Sequence, residues 1–229
     1  SVPSGPTSIG AIGIHATGGA TVTISNNDII SNQGGITADA TSSTAEPSQI
    51  NITGNTIHLG TGTAVSINKR FSGEDFGTVS ITNNTFSENS GSSELIYISP
   101  YGTVNPTGEE VDIVFTNNNI INNNTDYWIY SDLPSDQNNI SVQQNWWNTT
   151  SAPEIQAKIY DWNDDASKAI IDYAPFLTSP ATSTPPSPPG NVSAQTGPTS
   201  IQLSWDANPE ADIIGYKIHY DTDEAGYPY

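Results

Sequence analysis

Five eight-residue segments align along this chain without gaps, and a repeat of that kind leaves few folds open. They occupy residues 22–29 (VTISNNDI), 50–57 (INITGNTI), 79–86 (VSITNNTF), 113–120 (IVFTNNNI) and 140–147 (ISVQQNWW), with successive starts 28, 29, 34 and 27 residues apart. Positions one and three are always apolar, the period-two signature of a strand with one buried face. The sixth position is always asparagine (Asn27, Asn55, Asn84, Asn118, Asn145) and the eighth is always large and apolar. A second short apolar stretch precedes each segment, at residues 13–16, 35–38, 64–67, 95–98 and 128–130. The chain between these stretches varies in length and is rich in turn-forming residues, the usual pattern of a solenoid whose irregular loops gather on one side.

A strand of three or four residues must turn sharply before the next face of a coil. Asparagine tolerates the left-handed backbone such a turn demands. Stacked in register about 4.8 Å apart, its side-chain amides can also bond along the axis as a ladder. Both reasons predict that Asn27, Asn55, Asn84, Asn118 and Asn145 form a structural asparagine ladder.

Composition narrows the partners. Five Lys and Arg stand against 24 Asp and Glu, a net charge of −19. Only Lys69 and Arg70 are adjacent cations, whereas phosphate recognition needs clustered ones, so nucleic acid is not an expected partner. Anionic membranes and bare polyuronates are disfavoured unless Ca²⁺ bridges the two. With no cysteine, disulfide and thiolate chemistry are excluded. No apolar run approaches the roughly 20 residues of a membrane span, so membrane insertion is not expected. The absence of methionine reads as a mature, processed or trimmed chain. Six N-x-S/T sequons, at Asn51, Asn83, Asn123, Asn139, Asn148 and Asn191, suit a secreted or cell-surface protein, although four of them fall in or beside the repeat.

Over about residues 10–177 the N-x-T-I and N-N-T-F rungs resemble the pectate-lyase-like superfamily of right-handed parallel β-helices. Asn145-Trp146-Trp147, residues 151–162 and residues 171–176 (IDYAPF) look like the terminal rung of such proteins. There an N-x-W-G motif, a short helix and a Y-x-P-F/W strand close the coil; here Asn148 stands where that family has glycine. Independently of the resemblance, Ser151 and Glu154 form a capping box, and Ile155, Ile159 and Trp162 repeat at helical spacing, so a short helix is expected to cover the end of the solenoid. The other end has no comparable cap, which implies further rungs upstream or some other cover.

Residues 178–190 hold five prolines among Ser and Thr, the composition of an extended, semi-rigid spacer. Beyond it, residues 189–194, 201–205 (IQLSW) and 214–220 (IGYKIHY) resemble the first three strands of a fibronectin type III domain. Such a sandwich needs about seven strands, so its remainder is expected downstream or from elsewhere. The expected architecture is therefore all-β: a right-handed parallel β-helix with a short C-terminal capping helix over residues 1–177, a linker over 178–190 and a partial β-sandwich over 191–229.

Candidates for chemistry are few. Lys69, Arg70, Glu74 and Asp75 lie in one variable loop. The resemblance implies a lyase there, with a basic residue taking a proton beside a uronate carboxylate and acids holding Ca²⁺; the competing reading is a loop of locally paired surface charges. Glu109, Glu110 and Asp112 with Asp132 and Asp136 could supply a glycosidase pair, or simply solubility. His15, His58 and His219 lack metal-ligand spacing, so no metal site is expected from them. Tyr97, Tyr101, Tyr127, Trp128 and Tyr130 could stack on sugar rings, or pack the core. The residues favour an extracellular or cell-surface module with a structural, assembly or glycan-binding role and no catalysis. The alternative is a fragment of a carbohydrate-active enzyme, a polysaccharide lyase or glycoside hydrolase. Self-assembly and a polysaccharide or cell-surface glycan are the partners these readings imply.

Overall fold

The computed structural model describes residues 12–17, 21–30, 33–40, 49–69, 78–99, 112–136 and 139–219. Their strands follow one another in turns of three. The first turn holds β1 (Ile12–Thr17), β2 (Thr21–Ser25) and β3 (Asp28–Ile30), the second β4 (Gly34–Ala40), β5 (Gln49–Thr53) and β6 (Thr56–His58). The third holds β7 (Val65–Lys69), β8 (Thr78–Thr82) and β9 (Thr85–Ser87), the fourth β10 (Glu94–Ser99), β11 (Asp112–Thr116) and β12 (Asn119–Ile121). A fifth, incomplete turn has β13 (Tyr127–Ser131) and β14 (Ile140–Ser141) and closes with a bridge from Trp146 to Asn119. After it come α1 (Ala152–Gln156), β15 (Ile159–Tyr160), β16 (Ile171–Asp172) and an antiparallel pair, β17 (Ser193–Thr196) with β18 (Ile201–Ser204).

Each strand pairs in parallel with its equivalent one turn away. This builds three sheets, ordered β1-β4-β7-β10-β13-β15, β2-β5-β8-β11 and β3-β6-β9-β12. The result is a parallel β-solenoid of four complete turns. Its core is made of registered rows: Ile14, Ile36, Val65, Ile96, Ile129 and Ile159 from the first sheet, Ile24, Ile52, Ile81 and Phe115 from the second, and Ile29, Ile57, Phe86 and Ile120 from the third. Toward the C-terminal end the rows turn aromatic. Phe86 stacks on Phe115, Phe115 on Trp147, and Trp147 on Trp128, at centroid separations of 6.3, 6.3 and 5.9 Å.

Asparagines hold the corner between the second and third sheets. The backbone N–H and side-chain Nδ2 of Asn27 both donate to Oδ1 of Asn55, at 3.0 Å each. Asn55 does the same to Asn84 (2.9 and 3.0 Å), Asn84 to Asn118 (2.9 and 3.1 Å) and Asn118 to Asn145 (2.8 and 3.0 Å). Each buried Nδ2 also reaches a carbonyl of the preceding turn: Ile24 for Asn55, Ile52 for Asn84, Ile81 for Asn118 and Phe115 for Asn145. The left-handed residue is not the ladder asparagine, contrary to the sequence argument. It is the residue before it: Asn26, Gly54, Asn83, Asn117 and Gln144, with φ between 56° and 66°. The sharp turn is made one position earlier, which leaves the sixth residue free to point its amide inward. A second, shorter ladder runs along the next corner. Asn89 donates through N and Nδ2 to Asn123 Oδ1 at 3.1 and 2.9 Å, and Gly60 N donates to Asn89 Oδ1 at 3.0 Å.

The end of the coil differs in detail from expectation. The helix spans only Ala152–Gln156, with Ser151 as N-cap accepting the Glu154 N–H at 3.4 Å. The reciprocal arm of the capping box is relayed: Thr149 donates its hydroxyl to Glu154 Oε2, and its Oγ accepts the Ser151 N–H at 3.1 Å. Ile155 is buried, but Ile159 has left the helix to pair with β13, and Trp162 is 47% exposed. The one-turn helix therefore gives way to a strand that extends the first sheet.

Residues 178–190, expected to be a spacer, lie against the outer side of the third sheet. Asn119 donates to Ala181 O at 3.1 Å and to Thr184 Oγ at 2.6 Å, and accepts the Ala181 N–H at 2.8 Å. Thr85 donates to Pro185 O, and Ser183 to Asn83 Oδ1 at 2.9 Å. This strap buries outward-facing Thr85, Ser87, Asn119 and Ile121, whereas Ile30, at the far edge of the same sheet, is 47% exposed. Ser187 then ties the strap to the following segment through N–H and hydroxyl bonds to the buried Glu210 carboxylate, at 2.6 and 3.1 Å. Of the three strands expected beyond it, two form as β17 and β18, while residues 214–219 carry no ladder.

Asn84→Ala deletes one rung of a buried ladder, removing the acceptor of the Asn55 N–H and of one of its two Nδ2 hydrogens, and the side-chain donor to the Ile52 carbonyl. At roughly 1–3 kcal/mol per unsatisfied buried group, not fully additive, it should destabilise by about 3–5 kcal/mol. Asn27→Ala, at the exposed end of the ladder, should cost about 1 kcal/mol or less. Urea unfolding of both variants checks this, and equal losses would show that the ladder is not what holds the corner.

Candidate functional site

The outer side of the first sheet carries one registered row, His15, Thr37, Ser66, Tyr97, Tyr130 and Tyr160. It changes from polar to aromatic over its last three strands, spaced about 4.8 Å apart. The reason is local. Strand alternation turns Ile96, Ile98, Ile129 and Ile159 into the core and leaves the tyrosines between or beside them facing outward.

Alternation fails at the start of these strands, where the chain comes round the corner. Leu95 and Ile96 are both buried, and Trp128 lies against Trp147 beside buried Ile129. Of the two readings open to Trp128, sugar stacking and core packing, this contact matches the second, while Tyr127, three residues before Tyr130, faces outward with that tyrosine. Tyr127 meets Tyr130 edge-on at 5.6 Å and Tyr160 at 5.5 Å. Tyr130 and Tyr160 stack face to face at 4.3 Å and 3°, and Tyr97 leans on Tyr130 at 5.7 Å and 56°. Tyr160 was not singled out from the sequence, because it was assigned to the capping helix.

Charged groups frame the patch. Lys168 pairs with Asp132, and Lys158 Nζ donates to the Thr125 carbonyl at 2.6 Å. The hydrogen bond from Lys168 to Asp132 raises the lysine pKa. Burial, followed by the charge and hydrogen bond of Tyr160 and then by Asp132 and Tyr97, pushes the Tyr130 hydroxyl up from 10.0 to about 12. Tyr130 is therefore a neutral phenol throughout the physiological range, an apolar ring with a hydroxyl at its rim.

The other candidates are more scattered. Lys69 ends β7, with its backbone opposite Ala40. Arg70, Glu74, Asp75, Tyr101, Glu109 and Glu110 lie outside the described residues. Asp112 opens β11 in the second sheet and accepts the Thr78 hydroxyl at 2.8 Å, Asp132 is paired to Lys168 off the first sheet, and Asp136 is exposed. His15 is on the first sheet, His58 is buried on the third with Nε2 2.7 Å from Asp28, and His219 is exposed beyond β18. Among the described residues no three His, Cys, Asp or Glu side chains gather as metal ligands, and no helix is long and apolar enough to cross a membrane.

A family model described as the right handed beta helix region matches residues 7–105. With the three parallel sheets, this settles the coil. The solenoid is a right-handed β-helix repeat. No curated protein and no solved structure matches the chain. Of the tyrosine patch of this β-helix, Tyr97 falls within the matched segment, while Tyr127, Tyr130 and Tyr160 lie beyond it on the last turns.

Because the folded-state pKa of Tyr130 lies above its unfolded value, its contribution to stability is complete below about pH 10 and declines as pH rises toward 12. Tyr130→Phe should flatten the fall in stability across that window. Denaturation at several alkaline pH values, with ultraviolet titration of phenolate, checks it; an unchanged slope would contradict the assignment.

Proposed function

We propose that this β-helix is a non-catalytic extracellular or cell-surface module whose tyrosine patch binds a glycan, the rest of the coil serving as rigid support. One observation carries the reading: Tyr97, Tyr127, Tyr130 and Tyr160 form a connected aromatic cluster on the outer side of the first sheet. Flat rings with polar rims suit sugar, which offers C–H faces and hydroxyl edges. The rings hold one another in place, so little side-chain entropy is lost on binding. The net charge of −19 favours a neutral glycan over a polyuronate.

The same proposal reads residues 191–229 as the start of a fibronectin type III domain reached through the strap. Trp205 against Tyr216 at 5.2 Å, with the Tyr216 hydroxyl donating to Asn208 Oδ1 at 2.8 Å, supports that reading. Glycosylation at Asn123 would conflict with the second ladder, since its Nδ2 donates to Phe86 O at 2.9 Å. Asn139, which is exposed, has no such conflict.

The test exposes the full chain to neutral and uronate polysaccharides, following binding, reducing ends and unsaturated products together. Binding to a neutral glycan without turnover is expected, weakened about tenfold or more in Tyr97→Ala/Tyr160→Ala if each ring contributes on the order of 1 kcal/mol. Turnover abolished by Arg70→Ala would instead establish the lyase reading, and binding indifferent to the double variant would remove the patch from the proposal.

A further inference from the structure

Among the described residues the closest pair of aromatic rings is Tyr130 with Tyr160, 4.3 Å apart and 3° from parallel. Near-parallel rings on registered parallel strands are related by little more than a step along the axis, so equivalent ring atoms lie about one ring separation apart. The hydrogen bond between the two hydroxyls fits that arrangement. The pair sits where the sheet is weakest. β15 is the last strand of the first sheet and joins β13 through two residues, Ile159 opposite Ile129 and Tyr160 opposite Tyr130. Composition directs oxidation to the same place. Thiol and thioether side chains are the usual sinks for oxidants, and the chain has neither cysteine nor methionine. Tryptophan and tyrosine are left to take that role. The indole N–H groups of Trp128, Trp146 and Trp147 are buried, whereas Tyr97, Tyr127, Tyr130 and Tyr160 are all partly exposed and in ring contact. A radical formed on any of the four can therefore pass to the stacked pair.

We propose that Tyr130 and Tyr160 are an oxidative cross-linking site, joined as dityrosine into a covalent staple between β13 and β15. The co-reactant is hydrogen peroxide acting through a peroxidase as a one-electron oxidant. Each phenol gives up one electron and its hydroxyl proton and becomes a phenoxyl radical. The two radicals pair to form one carbon–carbon bond between ortho carbons. The hydrogens on those carbons then move to the phenoxyl oxygens, which restores both rings as phenols. One peroxide accepts the two electrons and two protons and leaves as two waters. The bond closes a loop from Tyr130 to Tyr160, and a cross-link of that kind stabilises a fold by restricting its unfolded chain. It uses two rings of the proposed glycan patch without resting on that reading. Cross-linking is read by mass with no sugar present, so either idea can fail while the other stands.

The full chain, dilute enough to disfavour contact between copies, is treated with peroxidase and hydrogen peroxide, digested, and sequenced by tandem mass spectrometry. The expected product is a monomer lighter by two hydrogen atoms, with dityrosine fluorescence, in which Tyr130 is joined to Tyr160. Tyr130→Phe and Tyr160→Phe keep a ring in the stack and remove one coupling phenol, so each should abolish this product. Tyr173→Phe, on a tyrosine outside the patch that stacks with Phe176, should leave its yield unchanged. The cross-linked monomer should unfold several degrees above the untreated chain. Mapping in the unaltered protein decides the matter even if a variant misfolds. Coupling only between separate chains, internal coupling of other tyrosines in place of this pair, or oxidation that lands on exposed Trp162 alone would each overturn the proposal. A cross-linked monomer with an unchanged Tm would remove the bond's role as a staple.

Discussion

A buried primary amide needs partners for two N–H groups and an oxygen, and in a parallel coil an identical amide one turn away supplies them at the right distance. That requirement fixes most of this structure. Each ladder oxygen receives two N–H groups from the neighbouring turn, while each buried Nδ2 also reaches a carbonyl of the turn before, so three successive turns are joined through one side chain. A slip of one residue would put Thr85 or Asn83 in place of Asn84 and leave several buried polar atoms bare. The corner between the second and third sheets consequently allows no insertions. The variation in turn length, 27 to 34 residues between ladder positions, falls elsewhere, chiefly between the first sheet and the second and to a smaller extent between the third and the first.

The ladder sets the register, and the registered rows then do different work on each sheet. Inside, they stack isoleucine on isoleucine, shifting to Phe86, Phe115, Trp147 and Trp128 where the coil closes. Larger side chains fill the end of the core with few residues, so a one-turn helix and a two-residue strand suffice there. Outside, the third sheet gives its hydrogen-bonding side chains to the strap. Asn119 makes three bonds to residues 181–184 and is fully buried as a result. A proline-rich segment suits this role, because it lacks many of the N–H groups that burial would otherwise leave unpaired.

The coil was legible because its two signals, period-two apolar alternation and an invariant asparagine, are short-range and repeat five times. What escaped the sequence depended on geometry that no repeat encodes. The left-handed residue sits one place before the ladder asparagine, and nothing in S-N-N-D-I distinguishes Asn26 from Asn27 except the corner itself. Asn89 and Asn123 form a second ladder only two rungs long among the described residues, too brief to stand out from a composition full of asparagine. Trp128 turned inward and Tyr130 outward because the strand bends at the corner, so alternation alone could not choose between sugar stacking and core packing for the pair. Tyr160 was hidden for a related reason: the i, i+4, i+7 pattern through Ile155, Ile159 and Trp162 fits a helix, but pairing with β13 claimed Ile159 and Tyr160 for the sheet. The docking of the strap could not be read at all, since its partners lie 62 to 100 residues away in the chain.

The tyrosine patch follows from the same register as the ladder, with a different consequence. Identical side chains on adjacent parallel strands meet at about the separation that aromatic stacking prefers, and Tyr130 and Tyr160 accordingly lie 4.3 Å apart and nearly coplanar in orientation. Two rings that cover one another have spent those faces. What they still present is rims and hydroxyl groups, together with the faces that Tyr97 and Tyr127 leave uncovered. Stacking of that kind contributes first to the stability of the last turns, where the coil has fewest neighbours, and a glycan would be recognised mainly along phenolic edges held rigid. A flat platform of separate rings could grip a sugar more strongly, but each ring would then have to be ordered on binding. Here the register has already ordered them, which on the proposed glycan reading would favour a modest, repeatable contact over a tight one.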